Sequence, residues 1–293
     1  MAEKKTAAKK APAKKKSAPK KTASTTPKVN IYGLDGKVKG NVQLPEIFDT
    51  PHRPDIIRKA VNASRANRRQ PYGPGEKAGM RHAVAQLGKG RGAARVQRLT
   101  QGGAAAESPP NVGGRRAHPP RPAHDWSEKI NKKEKALALK SAIAASGKMD
   151  IVKARGHRVV DDMTMPLVVS DDFEALFDTI TMDYGKKKAR PAYTKEAIAV
   201  LQALGLQDEM DRAKNGVHQR AGRGKMRGRR LKKPKSVLFV VDDMAKAKKC
   251  LGNIPGVDIT TPKGLSVELL APGGDPGRLT VYTEKALNAL GGN

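Results

Sequence analysis

The stretch SVLFVVDDMAKAKKC, residues 236–250, decides the fold class because an unbroken apolar run leads directly into a helix-start signal. Continuous Val, Leu and Phe are typical of a strand buried on both faces of a parallel sheet. Asp242 and Asp243 suit a helix N-terminus, where carboxylates accept free amide hydrogens and interact favourably with the helix dipole. We therefore predict a strand at residues 237–241, followed by a helix.

The same strand-then-helix pattern occurs twice more. PLVVSDDFEALFDTI, residues 166–180, places Asp171 and Asp172 directly after a short apolar strand. LTVYTEKALNAL, residues 279–290, places Thr283 at the helix start as an N-cap. Strands that alternate with helices predict an α/β fold with right-handed crossovers, a mostly parallel sheet and helices on both faces.

Further elements flank these three units. VNIYGLDG, residues 29–36, predicts a strand and a turn, and VQLPEIF, residues 42–48, predicts a second strand. Three more helices are predicted at residues 55–69, 129–145 and 193–204, the last of which has Ile198, Leu201 and Leu204 at helical spacing.

Aspartate pairs at the ends of parallel strands have two interpretations. They suit an active-site crevice as metal ligands or acid/base groups, or they cap the helices that follow. No third ligand or nucleophile is evident, which favours capping. His118 and His124 are too few for a zinc site. No Rossmann fingerprint, P-loop or nucleophile elbow occurs, so we predict no cofactor, no metal and no catalytic residue.

The charge indicates a polyanionic partner. The formal net charge is +30 and the pI is about 10.3, while aromatic residues make up only 3% of the chain. Self-repulsion on this scale does not help folding, so nucleic acid or an anionic surface is the expected partner. A single cysteine excludes an internal disulfide. No apolar run is long enough to span a bilayer, and we expect an intracellular protein without a membrane partner.

The charge is concentrated in separate segments. Residues 1–28 hold ten lysines and one acid and are predicted to be a disordered tail. Residues 212–235 hold eleven basic residues and no acid. These segments predict one α/β domain over residues 29–293, interrupted by a loop at residues 70–125 and by the basic arm at residues 212–235.

The loop at residues 70–125 has no convincing apolar period and is rich in glycine and proline. A structureless loop of this length is uncommon inside a compact domain and is usually functional or disordered. Disorder is the simpler interpretation, but residues 77–106 contain no acid. Glycines let the backbone approach phosphates, and guanidinium groups pair with them. We therefore favour a finger that becomes ordered on RNA.

Several unusual strings occur in a fixed order. They are YGLDGKVKGNVQLPEIFDTP, ANRRQPYG, GKGRGAARV, RRAHPPRP, KINKKEKALALKSAIA, PLVVSDDFE, GRGKMRGRRLKKPKSVLFVV and LAPGGDPGRLTVYTEKAL. Together they closely resemble the family of archaeal large-subunit ribosomal protein number four. The resemblance implies an α/β body in the cytoplasmic ribosome and a loop threaded through large-subunit (23S) rRNA. It also implies that the loop reaches the constriction of the polypeptide exit tunnel, beside the nascent polypeptide and ribosomal protein number twenty-two.

The resemblance assigns roles to individual residues. The family's tunnel-tip motif matches Gly88, Lys89, Gly90 and Arg91, preceded by Gln86 and Leu87. The candidate rRNA-binding residues of the predicted helix at 55–69, the loop and the arm are Arg58, Arg65, Arg68, Arg69, Arg81, Arg95, Arg98, Arg115, Arg116, His118, Arg121, Arg220, Arg223, Lys225, Arg227, Arg229, Arg230, Lys232 and Lys233.

Two other functions are considered. An RNA-modifying enzyme with basic appendages would need a glycine-rich loop between the first strand and a helix, whereas DGKVKG, residues 35–40, is predicted to lead into another strand. A histone-like protein that compacts nucleic acid is suggested by the lysine-rich tail alone. The predicted function is therefore a structural role in the large subunit, with binding of rRNA and support of assembly.

Overall fold

The structure is a computed structural model that describes residues 27–178 and 193–291. Nearly all of the predicted tail at residues 1–28 lies outside the described residues. The strands are β1 (Lys28–Tyr32), β2 (Val38–Gln43), β3 (Val84–Gln86), β4 (Gln97–Leu99), β5 (Leu167–Val169), β6 (His218–Gln219), β7 (Leu231–Lys232), β8 (Leu238–Val240), β9 (Asp258–Thr260) and β10 (Thr280–Thr283).

The helices are distributed along the whole described chain. They are α1 (Pro54–Asn67), α2 (Lys132–Ser146), α3 (Met149–Ala154), α4 (described over residues 172–178), α5 (Tyr193–Ala203), α6 (Gln207–Asn215), α7 (Met244–Leu251), α8 (Val267–Leu270) and α9 (Glu284–Gly291). None of the described helices is both long and apolar enough to cross a membrane.

The central sheet has six strands in the order β2-β1-β5-β10-β8-β9. Only β1 and β2 pair antiparallel, and every other neighbouring pair is parallel. The predicted α/β class with a mostly parallel sheet is therefore confirmed. The two remaining sheets are the short hairpins β3-β4 and β6-β7, which lie within the loop and the arm.

The stretch at residues 236–250 folds as its pattern predicts. Successive side chains of a strand point to opposite faces. Leu238 and Val240 pack with α1 and α2, whereas Phe239 and Val241 pack on the other face with α4, α5 and α7. All four side chains are completely buried. The apolar run is continuous because this strand has helices on both of its faces.

The predicted second strand at residues 42–48 is wrong in its position. A tight turn, in which Gly33 N–H donates to the Lys37 carbonyl at 2.8 Å, returns the chain at once, so β2 begins at Val38. Pro45 cannot donate a ladder hydrogen bond, and a 3₁₀ turn at Glu46–Asp49 follows it. Strand β9 and helices α3, α6 and α8 are elements that the sequence patterns did not predict.

A fully buried arginine lies at the amino edge of the parallel strands. The Arg278 side chain has no solvent exposure and forms an ion pair with Asp258 at 2.7 Å. Its guanidinium donates to the carbonyls of Ser236, Leu269 and Gly256 at 2.7–3.0 Å. These contacts join the segments that lead into β8, β9 and β10.

Replacing this residue tests that role. We expect Arg278→Met to lower the free energy of unfolding by about 3–5 kcal/mol, because the carbonyls and Asp258 lose their buried cationic partner. Urea denaturation followed by circular dichroism measures the change. Lys263→Met, at an exposed residue, is the control. Equal stability of the two variants would contradict the assignment.

Candidate nucleic-acid interface

The carboxyl edge of the sheet, where α/β enzymes place their active sites, is filled with capping contacts. Asp243 accepts from Ala245 N–H at 2.9 Å and caps α7. Thr283 accepts from Ala286 N–H at 3.4 Å, which confirms the predicted N-cap. Asp171 accepts from Lys285 N–H at 3.1 Å and so caps α9.

One residue that the sequence analysis did not select joins these caps. Glu174 Oε1 accepts from Asp242 N–H at 2.9 Å and from Thr283 Oγ1 at 2.7 Å. Asp172 instead forms an ion pair with Lys39. The described residues contain no group of three His, Cys, Asp or Glu side chains that could hold a metal ion. Asp171 and Asp243 therefore act as helix caps and Asp172 as an ion-pair partner in this fold.

The loop at residues 70–125 contains a hairpin. Strands β3 and β4 pair antiparallel, with Gln86 opposite Gln97. Leu87 is partly buried at the start of the connecting turn. Backbone hydrogen bonds therefore form a short ladder in the central part of the loop, where the sequence has no apolar period. We call residues 70–125 the finger.

A third segment extends this hairpin. Arg98 forms an antiparallel bridge with Ala105. The Leu99 N–H donates to the Ala104 carbonyl at 2.9 Å, and the Arg98 guanidinium donates to the Gly103 carbonyl at 2.8 Å. Arg98 thus contributes its backbone and part of its side chain to the fold of the finger.

Glycines permit the two limbs of the finger to approach each other closely. A Cβ atom on Gly73 would lie 2.6 Å from the Pro120 carbonyl oxygen. A Cβ atom on Gly79, whose φ is +76°, would lie 3.0 Å from the Arg115 Cα. Any side chain at these two positions would push the limbs apart, so they stay adjacent only because both residues are glycine.

The turn at the end of the hairpin is small and open. A Cβ atom added to Gly88, Gly90 or Gly92 would have no neighbour within 4 Å. Lys89 and Arg91 alternate with these glycines and are exposed. The predicted tunnel-tip residues therefore form a narrow turn that carries two free cationic side chains.

An aromatic cluster closes the base of the finger. The Arg69 guanidinium carbon lies 4.1 Å from the centroid of a Trp126 ring, and Tyr72 stacks on Trp126 at a centroid distance of 5.6 Å. His124 meets the Trp126 ring edge-on at 4.6 Å. Arg69 and Tyr72 precede the outgoing limb, and the other two residues end the returning limb. The cluster therefore joins the two ends of the finger.

Removing the cation tests this closure. We expect Arg69→Gln to shift Trp126 emission to longer wavelength and to increase its quenching by acrylamide, because the ring loses its cation–π contact. Trp126 is the only tryptophan in the chain. Arg65→Gln, four residues earlier in α1 and in an ion pair with Glu268, is the control. An unchanged spectrum in Arg69→Gln would contradict the proposed contact.

The basic arm is also a hairpin. Strands β6 and β7 pair antiparallel, and Arg220 N–H donates to the Arg230 carbonyl at 2.8 Å. The turn between them contains Gly222 and Gly228, both with positive φ. This turn presents the exposed cations Arg223, Lys225, Arg227 and Arg229. We call residues 216–235 the basic hairpin.

A buried carboxylate joins the two segments that flank the basic hairpin, α6 and the segment that leads into β8. Glu209, which has no exposed surface, accepts from Arg212 at 2.7 and 2.8 Å and from Ser236 Oγ at 3.0 Å. His157 Nδ1 lies 2.8 Å from the same carboxylate. Burial raises the pKa of Glu209, but the hydrogen bonds from Arg212 and His157 outweigh it and bring that pKa down to about 2.

This low pKa predicts how stability depends on pH. Because the folded pKa lies below that of a free carboxyl, the stabilisation is complete above about pH 5 and is lost as pH falls towards 2. We expect Glu209→Gln to cost about 3 kcal/mol at pH 7 and to remove this acid dependence. Urea denaturation from pH 3 to pH 7 measures both effects. Asp35→Asn, at an exposed residue, should change little, and an unaltered pH profile in Glu209→Gln would contradict this role of Glu209.

The predicted rRNA-binding arginines of α1 and of the two residues that follow it have partners within the protein. Arg58 forms an ion pair with Asp275 at 3.1 Å, and Arg65 and Arg68 both pair with Glu268. Arg69 lies in the aromatic cluster. Sequence reasoning missed these contacts because the acidic partners are about 200 residues away in the chain. The first three side chains still keep about half or more of their surface exposed.

The cations of the two hairpins differ from those of α1. His118 is exposed on the returning limb of the finger. Within residues 27–178 and 193–291 there is no ion pair for Arg81, Lys89, Arg91, Arg95, Arg98, Arg115, Arg116, Arg121, Arg220, Arg223, Lys225, Arg227, Arg229, Arg230, Lys232 and Lys233.

An α/β body whose carboxyl edge holds helix caps, and whose two hairpins carry many cations that form no ion pair within the described residues, has the features of a structural nucleic-acid-associated protein. The chain belongs to the ribosomal protein L4/L1 family, whose model matches residues 42–293. Members of this family are structural, non-enzymatic constituents of the ribosome. The alternative of an RNA-modifying enzyme is therefore wrong.

Archaeal relatives confirm the resemblance found in the sequence. The chain is 47% identical over 263 residues to the large ribosomal subunit protein uL4 of Methanococcoides burtonii, covering 90% of this chain and 97% of that protein. It is 46% identical over 267 residues to uL4 of Archaeoglobus fulgidus and 44% identical over 263 residues to uL4 of Methanocaldococcus jannaschii. Each of these two alignments covers 90% of this chain and 98% of the relative.

Proposed function

We propose that this chain is a structural component of the large ribosomal subunit that binds large-subunit rRNA through the finger and the basic hairpin and so supports assembly. The observation that carries the proposal is the concentration of unpaired cations on two glycine-rich hairpins. Apart from Lys235, which pairs with Asp258, the hairpin cations named above form no ion pair within the described residues, whereas Arg58, Arg65 and Arg68 have carboxylate partners. The phosphate groups of RNA are suitable anionic partners for these side chains.

The electrostatics of these hairpins favour rRNA over a single small anion. Each phosphate neutralised by Lys or Arg releases counterions, so many separate cations give strong binding that weakens with salt. Proteins recognise folded RNA largely by its shape and by backbone contacts. Two thin hairpins that project from an α/β body offer such contacts along their length. In this proposal the body is one domain over residues 29–293.

The tip of the finger is proposed to line the constriction of the polypeptide exit tunnel, beside ribosomal protein number twenty-two and the nascent polypeptide. The family model extends through the whole finger. Gly88, Gly90 and Gly92 leave the turn without bulk, which suits a narrow passage. Lys89 and Arg91 would then lie at the tunnel wall, with Gln86 and Leu87 just before them.

A site-specific cross-linker tests the tip and the subunit assignment together. A photoreactive amino acid at Leu87 of the full-length chain, assembled into ribosomes that carry a stalled nascent chain, should cross-link to that nascent chain. The matched control is the same amino acid at Val112, an exposed residue on the returning side of the finger. We expect Val112 to cross-link to rRNA or protein but not to the nascent chain.

The outcomes separate the two parts of the proposal. Failure of the unlabelled chain to enter large subunits would overturn the structural role itself. Entry into subunits with equal nascent-chain cross-linking from both positions would overturn the assignment of the tip.

A further inference from the structure

A groove connects the root of the finger with the root of the basic hairpin. It consists of two adjoining hollows of about 480 Å³ each, which share Lys235 and Pro272 as lining residues. One hollow reaches Arg65 and Arg68 of α1, and the other reaches Arg155 at the end of α3. The groove lies at the amino edge of the parallel strands, opposite the capped carboxyl edge.

The lining of the groove carries excess positive charge. Eight cationic residues line it against three carboxylates. The cations are Arg65, Arg68, Arg155, Arg212, Lys232, Lys233, Lys235 and Arg278, and the carboxylates are those of Asp258, Glu268 and Asp275. The carboxylates cannot neutralise this set, so the groove as a whole favours an anion.

Arg155 is a partly buried cation of the groove whose hydrogen bonds go to backbone carbonyls. Its guanidinium donates to the Pro272 carbonyl at 2.6 Å and to the Pro276 carbonyl at 3.4 Å. No carboxylate of the described residues forms an ion pair with it. Burial lowers the pKa of Arg155, Asp275 opposes this, and nearby Arg278 and Arg212 lower the pKa further. A bound phosphate would relieve that repulsion.

The floor of the groove is open where the two hollows meet. Gly273 follows the shared Pro272, has φ +92°, and would place a Cβ atom in open space. A residue without a side chain lets an extended ligand pass close to the protein backbone. Gly273 therefore leaves the backbone accessible beside a residue that both hollows share.

We propose that this groove binds the sugar–phosphate backbone of one rRNA strand that passes from the root of the finger to the root of the basic hairpin. The inference rests on the proposed rRNA-binding function and adds Arg155, Arg212 and Lys235 to the residues that contact RNA. The two hairpins and the groove then form one continuous binding surface instead of two independent extensions.

The test measures how the affinity of the full-length chain for large-subunit rRNA depends on salt. Each lost contact to a single-stranded phosphate reduces the slope of log K against log salt by about 0.7. Arg155→Gln combined with Lys235→Gln should therefore reduce the slope by about 1.4. The charge-matched control, Lys263→Gln combined with Lys285→Gln at the carboxyl edge, should leave the slope unchanged.

A conservative variant distinguishes RNA binding by these two residues from a purely structural role. Arg155→Lys combined with Lys235→Arg keeps both charges, and it should restore the slope. Lysine cannot reproduce the two carbonyl contacts of Arg155, so a purely structural role would leave this variant as defective as the double glutamine variant. If the double glutamine variant unfolds, Lys235→Gln alone carries the test, because Lys235 is exposed and Asp258 keeps its pair with Arg278.

The results distinguish the groove from the wider proposal. If the unaltered chain does not bind rRNA, the proposed function fails. If it binds, and Arg227→Gln combined with Arg229→Gln lowers the slope while the groove variants match their control, only the groove inference fails. A third outcome would also overturn the inference: millimolar inorganic phosphate binds in the groove, but the groove variants do not change RNA binding. The groove would then be a site for free phosphate.

Discussion

The amino edge of this protein depends on the ion pair and the hydrogen bonds of one buried cation, Arg278. A charged side chain is costly to remove from water and is tolerated only when its partners are complete. Here Asp258 and three backbone carbonyls supply them. These contacts fix the segments before β8, β9 and β10 relative to α8. The groove and the root of the basic hairpin lie at the same edge. The contacts of Arg278 therefore fix the positions of the segments from which the exposed cations of the hairpin extend.

The two edges of the sheet are used in opposite ways. An α/β enzyme places its reacting groups at the carboxyl ends of the parallel strands. In this chain Asp171, Glu174 and Asp243 have their oxygens occupied by backbone amides of neighbouring elements. Carboxylates committed to such caps are poor candidates for ligand binding or proton transfer. The carboxyl edge of this fold therefore contributes helix caps, whereas a groove with a mostly cationic lining lies at the amino edge.

The sequence predicted the parts of the fold that rest on burial. Continuous apolar runs correctly identified β5, β8 and β10, and helical spacing identified α1, α2 and α5 within about three residues at each end. The hairpins β3-β4 and β6-β7 escaped prediction because their order comes from backbone pairing and glycine contacts, which leave no apolar period. Pairing of Arg65 and Arg68 with Glu268 escaped it because composition shows how many charges exist but not which of them meet.

The finger shows how shape and stability can have different sources. Its shape is specified by the chain, through the β3-β4 ladder, the close approach at Gly73 and Gly79, and the cluster around Trp126. Fixing a residue costs about 1–2 kcal/mol of conformational entropy, and the finger buries little apolar surface to offset it. Phosphate contacts along both limbs would supply the missing free energy. In this view the glycines and the aromatic cluster define the backbone conformation of the finger, and rRNA stabilises that conformation.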